Sequence, residues 1–250
     1  MPGDYSVLST IHDEIGMDAF ARHITPQIIN FAQRNDWLGR QVVDIGCGSG
    51  VSIRWLAQHS YVVTGVDSSP TMLNIAKQVV ASQSLNVSWQ QQDILEMNNI
   101  GGQDLALCLD TLHEFSSLRE LERAFKNIGD TLKEGKLLIF DMYTIEGLIK
   151  RNSLGDFLEF DNNRLCIFIQ NRFDYERQVQ HRDYIIYRKQ PDDSWIRQNT
   201  QRILRTYPVQ AIVALVNRCG FEVNYVLNSN LTPHRPSDST ERVIIIAKKR

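Results

Sequence analysis

The sequence has no closely spaced cysteine pair. Its four cysteines stand at 47, 108, 166 and 219, too scattered for a zinc knuckle or a disulfide framework, so no metal site is expected and a reducing, cytoplasmic setting is. No apolar run approaches the roughly 20 residues that a membrane span requires. The opening stretch MPGDYSVLSTIHDEIG is acidic and polar, unlike a secretory leader. Positive charge is not in excess: 27 Lys and Arg face 29 Asp and Glu, which leaves no overall basic field to draw in nucleic acid or an anionic membrane. Internal repeats and low-complexity tracts are missing too. What remains is an ordinary globular composition, 250 residues at 42% hydrophobic, long enough for one large core and a small accessory unit. The composition leaves monomer and homodimer equally open.

Alternation is what the sequence does have. QVVDI (41–45), YVVTGV (61–66), NVSWQ (86–90), DLALCL (104–109) and KLLIF (136–140) read as buried strands. Helical patterns at 51–59, 70–82 and 117–132 separate them, and Ser68-Ser69-Pro70 is a plausible start for the second. Strands that alternate with helices predict a parallel sheet covered on both faces. From about Phe157 to Thr206 the pattern changes to alternating apolar and polar residues in three runs, RLCIFIQNRFDYE, VQHRDYIIYRK and SWIRQNTQRILRTY. This is the signature of antiparallel strands with one wet face. A helix follows, opened by Pro208 and closed by Gly220, and then two more strands, FEVNYVLN and ERVIIIAKK, joined by a polar loop at 229–240. The expected organisation is one domain formed by 1–149 with 207–250, interrupted by an antiparallel insertion at 150–206.

VVDIGCGSG carries glycines at 46, 48 and 50 on a strand-to-helix turn. Bare backbone there lets a ligand approach, and the helix N-terminus offers free N–H groups. The spacing is GxGxG. A dinucleotide fingerprint, GxGxxG, would need its third glycine at Val51, and a phosphate-binding loop would need a following Lys-Ser/Thr, so neither fits. Three acids follow at successive strand ends. Asp44, two residues before Gly46, suits a cationic ligand better than a bare pyrophosphate. Asp67 stands where a carboxylate accepts from ribose hydroxyls, or where it caps the next helix. Asp93 either accepts from an adenine amino group, with Ile94 against the ring, or forms a turn. Ligands of such sheets bind at this edge, and the three acids together favour the binding role.

In order and spacing, VVDIGCGSG, GVDSSPTML, QQDIL, LALCLDTLHEF and LKEGKLLIFDMYT resemble the successive motifs of class I S-adenosylmethionine-dependent methyltransferases. The likeness covers about 41–145 and the closing strand pair. It implies a doubly wound α/β fold with a mixed seven-stranded, Rossmann-like sheet, S-adenosylmethionine as cofactor, and an antiparallel β lid. FDMYT, the insertion after it, and QRILRTYPVQAIVALVNRCGFEV are similar to a small-molecule subgroup that includes the nucleotide-sugar N-methyltransferases. The resemblance further implies that Gly46, Gly48 and their loop hold the methionine moiety, Asp67 the ribose, and Asp93 with Ile94 the adenine. Asp110 falls beside the methionine end. Asp44, Cys47, Gly50, Ser68 and Leu109 complete the implied binding set, and Tyr5 resembles an N-terminal aromatic that closes over the cofactor.

Methyl transfer from a sulfonium needs alignment and a dry cage, plus a base only where the nucleophile arrives protonated. LDTLHEF supplies His113 and Glu114 as alternative bases near the expected sulfonium, with a purely structural histidine as the competing reading of His113. His12, His23, His59, His181 and His234 have no metal-ligand spacing and read as surface or turn residues. Trp37, Trp55 and Trp89 read as core, and Cys47 as a spacer without a partner. Between Asp161 and Arg205, nine Lys/Arg face six Asp/Glu with aromatics interleaved. Either this is a solvated face, or it is a lid presenting arginines and rings to a small-molecule acceptor that is ring-bearing or phosphorylated. The expected function is methylation of N, O or C of a small metabolite. Two rivals stay open: a non-catalytic S-adenosylmethionine-binding protein, and an NAD(P)-dependent reductase, which GxGxG and Asp44 disfavour. RNA methylation lacks support, because no Asn-Pro-Pro-Tyr-type motif follows the fourth strand.

Overall fold

The computed structural model describes residues 4–81, 85–236 and 238–250. Two helices that the periodicity did not single out come first. In α1 (Tyr5–Leu8) the Asp4 carboxylate caps the Ser6 N–H, and α2 (Ala19–Arg34) buries Ile24, Ile28, Ile29 and Ala32 along one stripe. Alternation then sets in as expected: β1 (Gln41–Ile45), α3 (Val51–Gln58), β2 (Val62–Asp67), α4 (Pro70–Ala81), β3 (Val87–Gln91), β4 (Gln103–Cys108), a one-turn helix at Leu112–Glu114, α5 (Leu118–Thr131) and β5 (Leu132–Tyr143). Of the helix expected over 70–82, Ser82 lies outside the described residues. Ser117 caps α5 by accepting from the Glu120 N–H, and the Glu120 carboxylate accepts in return from Ser116 N–H at 2.7 Å.

The chain continues through α6 (Ile145–Asn152), the strands β6 (Phe157–Asp161), β7 (Leu165–Asp174), β8 (Val179–Lys189) and β9 (Trp195–Arg205), then α7 (Val209–Arg218), β10 (Phe221–Asn228) and β11 (Arg242–Lys249). Seven strands form the main sheet in the order β10-β11-β5-β4-β1-β2-β3, and four form an antiparallel sheet, β6-β7-β8-β9. In the main sheet β1, β2, β3, β4 and β5 are parallel, while β11 runs against both β5 and β10. The expected doubly wound mixed sheet of seven strands is therefore present. Strand order reverses between β1 and β4, which opens a crevice at the carboxyl ends of these two strands.

Apolar side chains fill both faces of the main sheet. Phe125, Phe140 and Phe221 anchor one side and Ile53, Leu56 and Ile139 the other. Trp37 is buried in the second cluster, whereas Trp55 and Trp89 are only half-buried against it. A third cluster joins Leu8 and Ile11 to Leu165, Ile167, Ile169, Tyr184 and Ile186. The N-terminal segment thus packs on the inner face of the four-stranded sheet. Among the described residues no helix is long and apolar enough to cross a membrane.

The connection from β5 into the second sheet is tight. Thr144 caps α6 at the Gly147 N–H (2.9 Å), and a Cβ on Gly147 would stand 1.9 Å from the Glu241 carbonyl oxygen. Only glycine lets α6 approach the chain entering β11 so closely. Gly147→Ala is expected to push α6 off this backbone and to lower Tm by about 3–10 °C, read by a thermal melt. A second stability test concerns Asp44 in β1. Burial, and then the Asp67 carboxylate, push the Asp44 pKa up to about 7. Its folded pKa lies above the unfolded value near ~3.9, so the native state holds this proton more tightly. The contribution of this group to stability is fully present below about pH 4 and is lost as pH climbs through about 7. Asp44→Asn should therefore raise Tm by several degrees at about pH 8 and have little effect at about pH 4, in melts without ligand.

Candidate active site

The glycine loop follows β1 directly. Gly46 has φ +67°, and its N–H and that of Cys47 both donate to the Val66 carbonyl, at 2.8 and 3.0 Å. A Cβ on Gly46 would meet the Thr111 hydroxyl at 2.3 Å, so the loop lies flush against the chain leaving β4. The Gly48 N–H donates to the Asp67 carboxylate at 2.9 Å, and Asp67 also accepts from Ser69 N–H at 2.8 Å. One carboxylate thereby fixes both the glycine loop and the entry to α4. Burial raises the Asp67 pKa, opposed by these two backbone bonds. Cys47 is buried, and burial, then Asp44, pushes its thiol well above the usual range, as suits an inert spacer.

The facing wall begins at the end of β4. Asp110 adopts φ +54° and its N–H donates to Asp141 at 2.7 Å. The Asp110 carboxylate accepts from Arg202 of β9 at 2.9 Å and from Arg242 of β11 at 2.6 Å. Burial alone would raise this carboxyl, but Arg202 and then Arg242 hold it far below the usual carboxylate range. Arg242 also donates to Asp141 at 2.9 Å, with its guanidinium 3.9 Å from the Phe20 ring centre and 4.0 Å from that of Tyr143. Asp141 is fully buried, and burial lifts it to about 6 despite Arg242. Glu114 accepts from Arg202 Nε at 2.5 Å and from the Tyr5 hydroxyl at 2.6 Å. Burial raises the Tyr5 phenol well above its ordinary pKa, which keeps it a donor.

Between the two walls is a cavity of about 320 Å³ at the carboxyl edge of the strands. Gly46, Cys47 and Gly48 line one side, with Asp67 and Ser68 beyond β2 and Asp93 and Ile94 beyond β3. Leu109, Asp110, Glu114 and Tyr5 line the facing side. Asp93 is exposed and accepts from Leu95 N–H at 2.8 Å in a side-chain turn. Asp44, Gly50 and His113 lie outside the lining. Gly50 instead packs on α4, where a Cβ would stand 2.9 Å from that of Ala76. His113 is fully buried behind the wall: burial depresses its pKa well below the usual value, and its Nδ1 finds no partner among the described residues. Of the two alternative bases, only Glu114 faces the cavity.

Sequence reasoning missed two lining residues of note. His12 is not a surface residue: it is buried against the cavity, with Nδ1 2.9 Å from Asp13. Arg202 was one of nine basic residues between Asp161 and Arg205, and its inward position between Thr200 and Leu204 is the signal that strand alternation offered. Asp110, His113 and Asp141 also sit close enough to share a cation. Both carboxylates are already paired with guanidinium groups, which leaves the trio a poor metal site.

Residues 42–135 match the family model described as a methyltransferase domain. The candidate methyltransferase YqeM of Bacillus subtilis is 28% identical over 213 residues, 84% of each chain. An S-adenosylmethionine-dependent methyltransferase from Clostridium acetobutylicum superposes with a TM-score of 0.82 at 22% identity, over 98% of both chains. The sugar N-methyltransferase KedS8 from Streptoalloteichus gives 0.70 at 16% identity, over 100% of this chain and 94% of its own. Set beside a cavity that opens where the strand order reverses, these likenesses give the chain the fold of the S-adenosylmethionine-dependent methyltransferases, with a methyltransferase domain over residues 42–135.

Proposed function

We propose that the chain methylates a nitrogen, oxygen or carbon of a small metabolite, with S-adenosylmethionine held against the glycine loop. The observation that carries this reading is the facing wall: Tyr5, Glu114 and Arg202, from three distant parts of the chain, converge on one cavity. The residues fit the cofactor. Asp67 keeps acceptor capacity for ribose hydroxyls beyond its two backbone bonds, and three carboxylates against two guanidinium groups give the wall a negative surplus that suits a sulfonium. Bound there, S-adenosylmethionine supplies a methyl group on a leaving group that is already activated.

In this reading the chain's own contribution is positioning and proton removal. Asp67, with Ser68 beside it, orients the ribose, and Asp93 with Ile94 receives the adenine. Tyr5 and Arg202 exclude water from the reacting end and fix the Glu114 carboxylate by two donated bonds. Glu114 then takes the proton of a nucleophile that arrives protonated. The insertion, 150–206, serves as the acceptor-selecting lid through the residues it turns inward. The architecture of a sugar N-methyltransferase is a precedent for a ring-bearing acceptor on this frame. The four cysteines are free thiols, in keeping with work in a reducing cytoplasm.

Incubating the protein with labelled-methyl cofactor and a metabolite pool should yield a labelled small molecule, identified by mass spectrometry. Label appearing only in RNA or protein would overturn the acceptor class. Asp67→Ala should weaken S-adenosylhomocysteine binding at least tenfold by calorimetry, since charge-assisted bonds to ribose are lost and the Gly48 loop is released. Glu114→Gln should lower turnover by about 10²–10⁴-fold while cofactor affinity stays near wild type. Retained turnover in Glu114→Gln would mean catalysis by alignment alone.

A further inference from the structure

One buried polar patch has no part in this mechanism. On the inner face of the four-stranded sheet, Arg182 of β8 stands directly opposite Asn171 of β7 and Arg202 of β9. Arg182 is 9% exposed, with its guanidinium 5.9 Å from the centre of the Phe157 ring and 5.7 Å from that of Tyr184. The nearest carboxylate, Glu159, lies 3.7 Å away, beyond hydrogen-bond reach, and the buried Nε has no acceptor among the described residues. Arg151 of α6 faces the same region, 5.0 Å from the centre of the Tyr143 ring, and its buried Nε is likewise without an acceptor. The two cations sit close enough for Arg151 to lower the Arg182 pKa, although burial is the larger cause.

Charge is distributed unevenly across this interior. Arg202 and Arg242 are matched by three carboxylates, Asp110, Glu114 and Asp141, whereas Arg182 has only the more distant Glu159 and Arg151 has no carboxylate partner among the described residues. Burying guanidinium N–H groups without acceptors is costly, and a fold has no use for that cost unless something else supplies the acceptor. An oxyanion does so and brings the missing negative charge, and the planar guanidinium is shaped to receive it. The position also suits a bound acceptor. Arg202 lines the cavity, and Arg182 is its cross-strand neighbour on the same face, one strand spacing of roughly 5 Å further on.

We propose that Arg182 and Arg151 bind a carboxylate or phosphate group of the methyl acceptor, one strand away from Arg202 and the reacting end. The acceptor is then an anionic metabolite, with its nucleophile at Glu114 and its oxyanion between α6 and the inner face of β8. This rests on the reading of the Glu114 wall as the acceptor side of the cavity.

Thermal melts of the full chain test it, with inorganic phosphate and acetate as probes against sodium chloride at matched ionic strength. Phosphate or acetate should raise the wild-type Tm by about 3 °C at tenfold over its Kd, and the probe that acts distinguishes a phosphate from a carboxylate ligand. Arg182→Met and Arg151→Met should lose this response while keeping the stabilisation by S-adenosylhomocysteine. Without ligand, their Tm should equal or exceed that of wild type, because a cation whose Nε is buried without an acceptor has been removed. A wild type that responds to neither anion, a response preserved in both variants, or an Arg182→Met protein that melts lower or fails to fold would each overturn the proposal, the last by making Arg182 a structural residue. Absence of any S-adenosylhomocysteine response in wild type would instead count against the cofactor reading and leave the anion result to be judged separately.

Discussion

Two arginines hold the molecule's separate parts to one another. Arg202 brings β9 of the second sheet onto Asp110 and Glu114 at the end of β4, and Arg242 brings β11 onto Asp110 and Asp141. All of these groups are buried or nearly so, and removing either cation would strand carboxylates in the interior at a cost of about 3–5 kcal/mol. Asp110 accepts from both guanidinium groups, and its left-handed backbone is held by the N–H bond to Asp141. Cavity shape, the height of the second sheet above the strand edge, and the orientation of Glu114 all follow from this cluster.

The N-terminal segment depends on the same arrangement. Tyr5 reaches Glu114, while Leu8 and Ile11 pack on Ile167 and Ile186 of the second sheet, and Arg188 donates to the Thr10 carbonyl at 3.0 Å. The segment is therefore sandwiched between the cavity and that sheet. His12 enters the lining for this reason, with its ring close to Gly48.

The parts legible in the sequence were the local and periodic ones. Five parallel strands, three intervening helices and the glycine turn follow from residues a few positions apart, and the structure moves their boundaries by only a residue or so, except at β5. There the strand runs from Leu132 to Tyr143: pairing with β11 continues past the apolar stretch to Tyr143, and Leu132 pairs with Gln103 of β4 at the other end. The helix α2 went unread since its apolar stripe is diluted by polar residues and interrupted by Pro26. The choice between His113 and Glu114 could not be made from adjacency either. A one-turn helix separates their directions, so the histidine points into the interior and the carboxylate into the cavity. Arg202, Arg242 and His12 carry no motif at all: the partners of the two arginines are remote in sequence, and only packing brings them together and sets His12 against the cavity.

That remoteness bears on how the molecule assembles. The bond from Gly48 to Asp67 closes a loop of 19 residues, whereas Tyr5 meets Glu114 across 109, Arg202 meets Glu114 across 88 and Arg242 meets Asp110 across 132. Contacts that close long stretches of chain carry the larger entropy cost and form after the local ones. The floor of the cavity is thus an early product of folding, and its roof is a late one.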